Sequence, residues 1–409
     1  MLSISEQEER KTGKELYSYQ KGAIQKIFKC FETAVEDYHL LYQLPTGGGK
    51  TVIFSEIVSQ YLSTHKKKVL VMTHRIELCK QTSSVLTEFG VQNKVIDSKA
   101  NLDDQSEFQC FVAMVETLNN RLKDDKLDIS DIGLVIIDEA HYNSFTKLFK
   151  FFEKSFILGV TATPLSSNIE LPMTDNYNEL IVGESIESLI ENEFLAQANM
   201  YSYNVGLTSL VVGANGDYTV KSSEDLYTNN EMLSKLMEAY KERCDGKKTL
   251  IFNNGINTSL FVYDLFRSAG YQVAHLDNTA SKKERTQILE WFKKTPNAIL
   301  TSVSILTTGF DEPTVQTIIL NRATRSLTLY HQMIGRGSRR LPEKDRFKLI
   351  DLGNNVRRFG LWQDYLNWQD AFRFPDRFLE SRLTENEDLE FEVEFEFPKW
   401  MMESLNTET

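Results

Sequence analysis

The chain has 409 residues, 41% apolar and 25% charged, with a net charge of −12. These are the proportions of a soluble globular protein, and the length suits two α/β lobes better than a single core. No apolar run approaches the roughly 20 residues needed to span a bilayer. Residues 376–409 carry 11 Asp/Glu against 3 Lys/Arg. Most of the negative charge therefore sits in the tail, and net charge neither supports nor excludes a polyanionic partner.

The first ten residues, Met1 to Arg10, are acidic and lack the basic-then-apolar layout of a signal peptide. Cys30, Cys79, Cys110 and Cys244 show no metal-ligand spacing. The expectation is cytoplasmic residence with reduced structural thiols.

The run 38–44 reads as a buried strand, and it leads into Pro45-Thr46-Gly47-Gly48-Gly49-Lys50-Thr51. Val52-Ile53-Phe54, Ile57-Val58 and Tyr61-Leu62 then repeat at helical spacing. Strand, glycine loop and helix in that order make a phosphate cradle. Glycines let backbone N–H groups approach a phosphate chain, and the helix points its positive end at it. Lys50 is expected on the β- and γ-phosphates and Thr51 on Mg²⁺. Leu44 stands where the usual loop pattern begins with glycine.

Short apolar runs follow at 69–73, 110–114, 134–137 and 156–160, and again at 249–252, 272–276, 298–301, 317–320 and 347–350. Near-continuous β-branched and leucine runs alternating with helical patterns indicate parallel strands in βαβ units, in two sets and so two sheets. Residues 165–235, with Pro164 and Pro172 at hand and Gly213-Ala214-Asn215-Gly216-Asp217 inside, read as a connection with little sheet of its own. Asp138-Glu139-Ala140-His141 directly follows the run 134–137. A carboxylate at a strand's C-terminal end can hold Mg²⁺ and a second can activate water, roles that suit Asp138 and Glu139. Near the end, Leu389, Phe391, Val393, Phe395 and Phe397 alternate with Glu390, Glu392, Glu394 and Glu396. That period-2 pattern predicts an edge strand with a charged outer face, favoured over a DNA-mimicking regulator.

With Thr161-Ala162-Thr163-Pro164 and Gln332-Met333-Ile334-Gly335-Arg336-Gly337-Ser338-Arg339 added, residues 14–360 resemble superfamily 2 helicases of the DEAH-lettered type. The resemblance implies two tandem RecA-like parallel-sheet lobes of the P-loop NTPase class. Residues 1–200 would form the ATP-binding lobe, 201–360 the second lobe and 361–409 an acidic extension. It further implies ATP and Mg²⁺ as cofactors, with ATP between the lobes and nucleic acid across both. Gln20 matches the adenine-reading glutamine. Pro45, Thr46, Gly47, Gly48, Gly49, Lys50 and Thr51 match the phosphate loop, with Thr51 and Asp138 on the metal. Arg75, in Thr73-His74-Arg75-Ile76-Glu77-Leu78, and Thr117, in Val115-Glu116-Thr117-Leu118, match backbone-contacting segments. Thr301 and Ser302 match another such segment, while Thr308, Gly309 and Asp311 would face the nucleotide. Thr161, Thr163 and Gln332 would couple hydrolysis to lobe movement. Arg336 and Arg339 match the arginine fingers, and three residues apart on a helix they would share one face. The ending Asp351 to Gly360 resembles RadD-type repair helicases and related phage enzymes.

Family motifs of this kind touch mainly the phosphate backbone, which separates DNA from RNA poorly. The expectation is a DNA helicase or translocase binding without sequence specificity, with an RNA-dependent ATPase as the alternative. A third reading, the motor of a restriction-type nuclease, is set aside. Pro375-Asp376 and Glu396-Phe397-Pro398-Lys399 have Glu-x-x-Lys spacing where a nuclease signature has Glu-x-Lys.

Overall fold

The computed structural model describes residues 15–34, 38–97, 107–123, 129–168, 170–303, 306 and 310–384. These fall into two compact units. The first holds most of the chain up to Glu184 together with Asn367–Pro375, and the second holds Ser185–Leu366 and continues from Asp376.

The first unit is built on seven strands: β1 (His39–Gln43), β2 (Lys68–Thr73), β3 (Asn93–Ile96), β4 (Cys110–Met114), β5 (Ile132–Asp138), β6 (Phe156–Thr161) and β7 (Glu179–Val182). They pair in the order β3-β4-β2-β5-β6-β1-β7, every pair parallel. Alternate residues of five strands, Leu40/Tyr42, Val69/Val71, Cys110/Val112, Leu134/Ile136 and Leu158/Val160, form one core with Ile53, Phe54, Ile57 and Val58 of the helix Lys50–Thr64. Their neighbours on the opposite face, among them Leu41, Leu70, Phe111, Val135 and Ile157, are buried as well. Burial on both faces is why these runs are continuously apolar rather than alternating. Each such side chain contributes about 1.5–3 kcal/mol relative to exposure.

The second unit repeats the design with β8 (Gln197–Ser202), β9 (Thr249–Asn253), β10 (Val273–Leu276), β11 (Ile299–Val303), β12 (Thr317–Asn321) and β13 (Arg346–Asp351). The order is β10-β11-β9-β12-β13-β8, again all parallel. Ile251, Ile299, Ile319 and Ile350 pack under the helices Asn230–Arg243 and Ile256–Ser268 through Leu236, Tyr240, Val262 and Phe266.

All ten apolar runs read from the sequence are strands. The region 165–235 is less bare than its composition suggests, since it contains β7, β8, the helices Ile186–Glu191 and Val220–Tyr227, and the start of the helix Asn230–Arg243. The division between units also differs from 200/201. β8 pairs along its length with β13, from Gln197 opposite Arg346 to Ser202 opposite Asp351, and this ladder draws the chain from Ser185 onward into the second unit. Residues 361–409 are not one extension either. The helix Trp368–Arg373 belongs to the first unit, where Gln369 Nε2 donates to Leu180 O at 2.8 Å. The helix Pro375–Thr384 follows. The patterned strand 389–397, the 396–399 signature and the N-terminal ten residues lie outside the described residues.

Candidate nucleotide and nucleic-acid sites

In open parallel sheets ligands bind beyond the C-terminal ends of the strands. β1, β2, β5 and β6 each end on one of the expected site segments. β1 runs into the glycine loop, in which Gly47 and Gly49 have φ of +96° and +86°, a left-handed conformation that side-chain-bearing residues rarely take. Gly49 caps the helix Lys50–Thr64, and a Cβ on it would meet Gln20 Nε2 at 2.7 Å. Gln20 is therefore no helix-surface glutamine. It is 3% exposed, its Oε1 accepts from Tyr17 N at 3.0 Å, and its amide lies against the head of the phosphate loop. Tyr17 and Tyr19 stack beside it.

Lys50 is buried and donates to Leu44 O at 3.3 Å. Asp138, at the end of β5, is 5% exposed, and among the described residues it accepts one hydrogen bond, from Glu139 N at 3.0 Å, with no ion-pair partner. Burial first, and Glu139 second, push its carboxyl above the usual range, with Lys50 pulling the other way. A buried carboxylate without a cation, across from a phosphate-loop lysine, fits a hard divalent metal. No cluster of three His, Cys, Asp or Glu side chains capable of holding a metal occurs among the described residues. A magnesium ion would therefore rely on Thr51, Asp138, water and phosphate oxygens, as that ion commonly does.

Glu139 has φ of +54°, a left-handed conformation costing about 1–3 kcal/mol in a residue other than glycine. The turn folds the chain back so that Ala140 N donates to Val160 O of β6 at 2.9 Å. It also brings Glu139 Oε2 to 3.5 Å from His141 Nδ1. The same nitrogen lies 3.0 Å from Thr161 Oγ1. Thr161 spends its only proton on Thr163 O at 2.9 Å, so its oxygen must accept from His141 Nδ1–H, which assigns the tautomer. Burial lowers the His141 pKa and keeps the ring neutral. A chain of contacts thus runs Glu139–His141–Thr161–Thr163, so the expected coupling threonines reach the expected catalytic carboxylate through His141.

His74 extends this chain. Its ring lies 4.2 Å from that of Tyr142, which lies 4.3 Å from that of His141. Among the described residues both His74 ring nitrogens are shielded without a hydrogen-bond partner, and burial drives its pKa down to about 4. Neither histidine nor Tyr142 was assigned a role from the sequence. A histidine beside an expected phosphate ligand gives no sign of which rings will stack.

The nucleic-acid assignments fare unevenly. Arg75 is part-exposed at the N-cap of the helix Ile76–Glu88, and its carbonyl accepts from Thr73 Oγ1 at 3.0 Å. Thr117 lies in the first turn of the helix Val115–Lys123, not in a loop, because β4 passes into that helix without a linker. Thr301 and Ser302 are both fully buried in β11. Thr301 Oγ1 accepts from Asn253 Nδ2 at 2.8 Å and lies 2.9 Å from Ser259 Oγ. Both hydroxyls are buried here and that of Thr301 is engaged within the second unit, so the expected phosphate contact is not seen on its surface.

In the second unit the helix Leu327–Ile334 contains buried Gln332 but ends before the arginines. Arg336 and Arg339 therefore do not share a helix face. Arg336 Nη1 donates to Phe310 O, and Arg339 Nε donates to Asp311 Oδ1 at 2.7 Å. Thr308 and Gly309 lie outside the described residues. A residue passed over in the sequence stands here too. Lys344 is buried, and its ammonium donates to Pro313 O, Val315 O and Gly337 O, each at 2.8 Å.

Two family models match the chain in tandem: the res subunit of type III restriction enzymes over residues 13–166, and the helicase conserved C-terminal domain over residues 229–340. The chain thus carries, in order, the two domains of a superfamily 2 helicase core. It is 29% identical over 82% of its length to a Saccharomyces cerevisiae protein named as an ATP-dependent helicase, IRC3, of which it covers 51%. It is 28% identical over 81% of its length to a 51.5 kDa protein of a Lactococcus phage, covering 69% of that protein. Among solved structures, a fragment of an HsdR subunit of a type I restriction enzyme from Vibrio vulnificus superposes with a TM-score of 0.63 at 21% identity, over 88% of this chain and 65% of that one. That likeness bears on the fold, two RecA-like lobes. The chain thus spans about half of the yeast relative's length.

Proposed function

We propose that this helicase core is a nucleic-acid-dependent ATPase that works as a DNA helicase or translocase, using ATP and Mg²⁺. The observation that carries the reading is the first-lobe constellation. Lys50 opens the helix that follows the glycine loop of β1, and Asp138, buried and without an ion-pair partner among the described residues, ends β5 of the same sheet, with Glu139 held in a strained turn beside His141. Gln20 would read the adenine edge, and backbone N–H groups of the loop with Lys50 would hold the phosphates. Bound Mg²⁺ would neutralise phosphate charge. Glu139, its backbone held in the turn after β5, would accept a proton from the attacking water. Arg336 and Arg339 would supply positive charge to the transition state, an effect worth about 10³–10⁵ in rate in related enzymes. Arg75 and Thr117 would hold the nucleic-acid backbone without reading sequence.

DNA is favoured over RNA because the first-lobe family model is a restriction-enzyme subunit and the RadD-like ending points the same way. The restriction-type motor, set aside on the spacing of Glu396 and Lys399, gains support from that match and from the HsdR likeness, and it stands as the second reading. An RNA-dependent ATPase is the third. Among the described residues no helix is long and apolar enough to cross a membrane. The four cysteines are free thiols, in keeping with a cytoplasmic setting.

The test is ATP hydrolysis measured side by side with single-stranded DNA, duplex DNA and RNA. Stimulation by DNA well above RNA is expected. Stimulation by RNA alone would move the assignment to the third reading.

A further inference from the structure

We propose that Lys344 is a positioning residue for Arg336 and Arg339, its ammonium locking the segment that carries them to the segment 310–315. The inference rests on the reading above, in which these arginines serve ATP hydrolysis.

The two arginines lie beyond the last helical residue, Ile334, and before β13. Their segment therefore lacks a repeating backbone ladder, and their aim depends on individual contacts. Some come from the chain before β8: Ala196 N donates to Ser338 O at 2.8 Å, and Leu195 bridges Arg339. Others come from the end of the helix, where Arg336 N donates to Met333 O at 3.2 Å and Gly337 N to Ile334 O at 2.9 Å, and from residues 310–315. Arg336 and Arg339 reach Phe310 O and Asp311 themselves, but a guanidinium so engaged must exchange those contacts for phosphate when it acts. A separate tie must then hold the segments together. Lys344 has the chemistry for it. An ammonium has three N–H donors, and all three are spent on carbonyls, two in the 310–315 segment and one on Gly337, midway between the arginines.

Lys344 is itself held by a tight turn in which Leu341 N donates to Lys344 O at 3.1 Å and Lys344 N to Leu341 O at 2.9 Å. Burying a charge without a paired anion is costly, and a lysine 5% exposed would not be tolerated as filler. Burial, reinforced by Arg339, pushes its pKa down to about 7, while Glu312, Asp311 and Glu343 favour the charged form. The three carbonyl oxygens also accept best from the ammonium. The hydrogen bonds of the Lys344 ammonium go to backbone carbonyls, so it acts through the segments that carry the arginines.

Lys344→Met keeps the length of the side chain and removes every donor. Its expected effect is a fall in nucleic-acid-stimulated kcat of about 10²-fold, the scale on which an ångström-level misplacement acts, with affinity for a fluorescent ADP within twofold of wild type. Lys344→Gln, which retains two N–H donors, falls between. Lys344→Ala leaves a space matching n-propylammonium, and that cation restores part of kcat where 1-propanol at equal concentration does not. Wild-type kcat in folded Lys344→Met or Lys344→Gln, alongside a large loss in Arg336→Ala, overturns the inference and leaves the parent reading intact. Equal recovery with propanol also overturns it, since filling space would then suffice. Wild-type kcat in Arg336→Ala overturns the parent reading and the inference with it.

Discussion

His141 and Thr161 are joined by a buried hydrogen bond of 3.0 Å, with His141 Nδ1 donating and the threonine oxygen accepting. The bond links the turn after β5 to the end of β6. A displacement of the Thr161–Thr163 segment is therefore felt at Glu139, 3.5 Å from the same nitrogen. Coupling between lobe movement and hydrolysis needs such a shared element with two arrangements. Thr161→Val removes the acceptor at nearly constant volume. The expected result is basal ATPase within a few-fold of wild type and nucleic-acid stimulation largely lost. Equal reduction of basal and stimulated rates would show that Thr161 supports the fold of the site without transmitting anything.

Glu139→Gln preserves the size of the side chain and removes the base. ATP binding should persist, while kcat falls by about 10²–10⁴. Lys50→Ala should instead weaken nucleotide binding itself. A stopped-flow binding assay with single-turnover hydrolysis separates the two, and near-normal turnover in Glu139→Gln rules out its proposed part in activating water.

Arg336→Ala and Arg339→Ala should lower kcat far more than nucleotide affinity, because their contacts strengthen in the transition state. Arg339→Ala has a second consequence. It frees Asp311, now engaged at 2.7 Å, and on the proposed reading, in which Asp311 serves the nucleotide, it leaves an uncompensated carboxylate for the phosphates to meet. Arg339→Ala/Asp311→Asn should therefore bind ATP more tightly than the single variant. Strictly additive effects on affinity would exclude this electrostatic coupling.

His74 predicts an acid sensitivity. Its pKa is 6.5 in the unfolded chain and about 4 when folded. Above pH 6.5 both states are neutral and the group adds nothing to the pH dependence. Between about 6.5 and 4 the unfolded chain takes up a proton that the folded chain refuses, so stability falls as pH falls. The loss is on the order of 2 kcal/mol. His74→Phe keeps a ring against Tyr142 and cannot titrate. Its thermal midpoint should fall less than that of wild type from pH 6.5 to 4.5, with His141 contributing what remains. Parallel curves would mean that His74 is already charged or solvated in the folded protein.

Nucleic-acid affinity should fall steeply with salt and show little dependence on sequence, because cation–phosphate contacts release counterions. Arg75→Ala should flatten the log–log salt slope by up to about one unit. Thr301→Val and Ser302→Ala should leave that slope unchanged, their hydroxyls being internal to β11. A marked loss of affinity in either folded variant would return those residues to the binding surface.

The amino-acid sequence by itself determined the two sets of parallel strands and the phosphate loop, as well as the carboxylates at the end of β5. These depend on local physics. A strand buried on both faces is continuously apolar, a loop with positive φ favours glycine, and a carboxylate directly after an apolar run emerges at a strand end. Only the tertiary structure decided the rest. It drew β8 into the second sheet by pairing it with β13, and it buried Thr301 between Asn253 and Ser259. It also ended the helix before Arg336. Each of these outcomes depends on a partner distant in the chain. Lys344 is the clearest case. In Leu341-Pro342-Glu343-Lys344-Asp345 it reads as one more charge in a surface turn, and only the packing that brings Pro313, Val315 and Gly337 around it makes it a buried cation. Spacing reports which residues share a strand or a helix face. It carries no information about which distant carbonyls will converge on one ammonium, because that is decided by how separate elements pack.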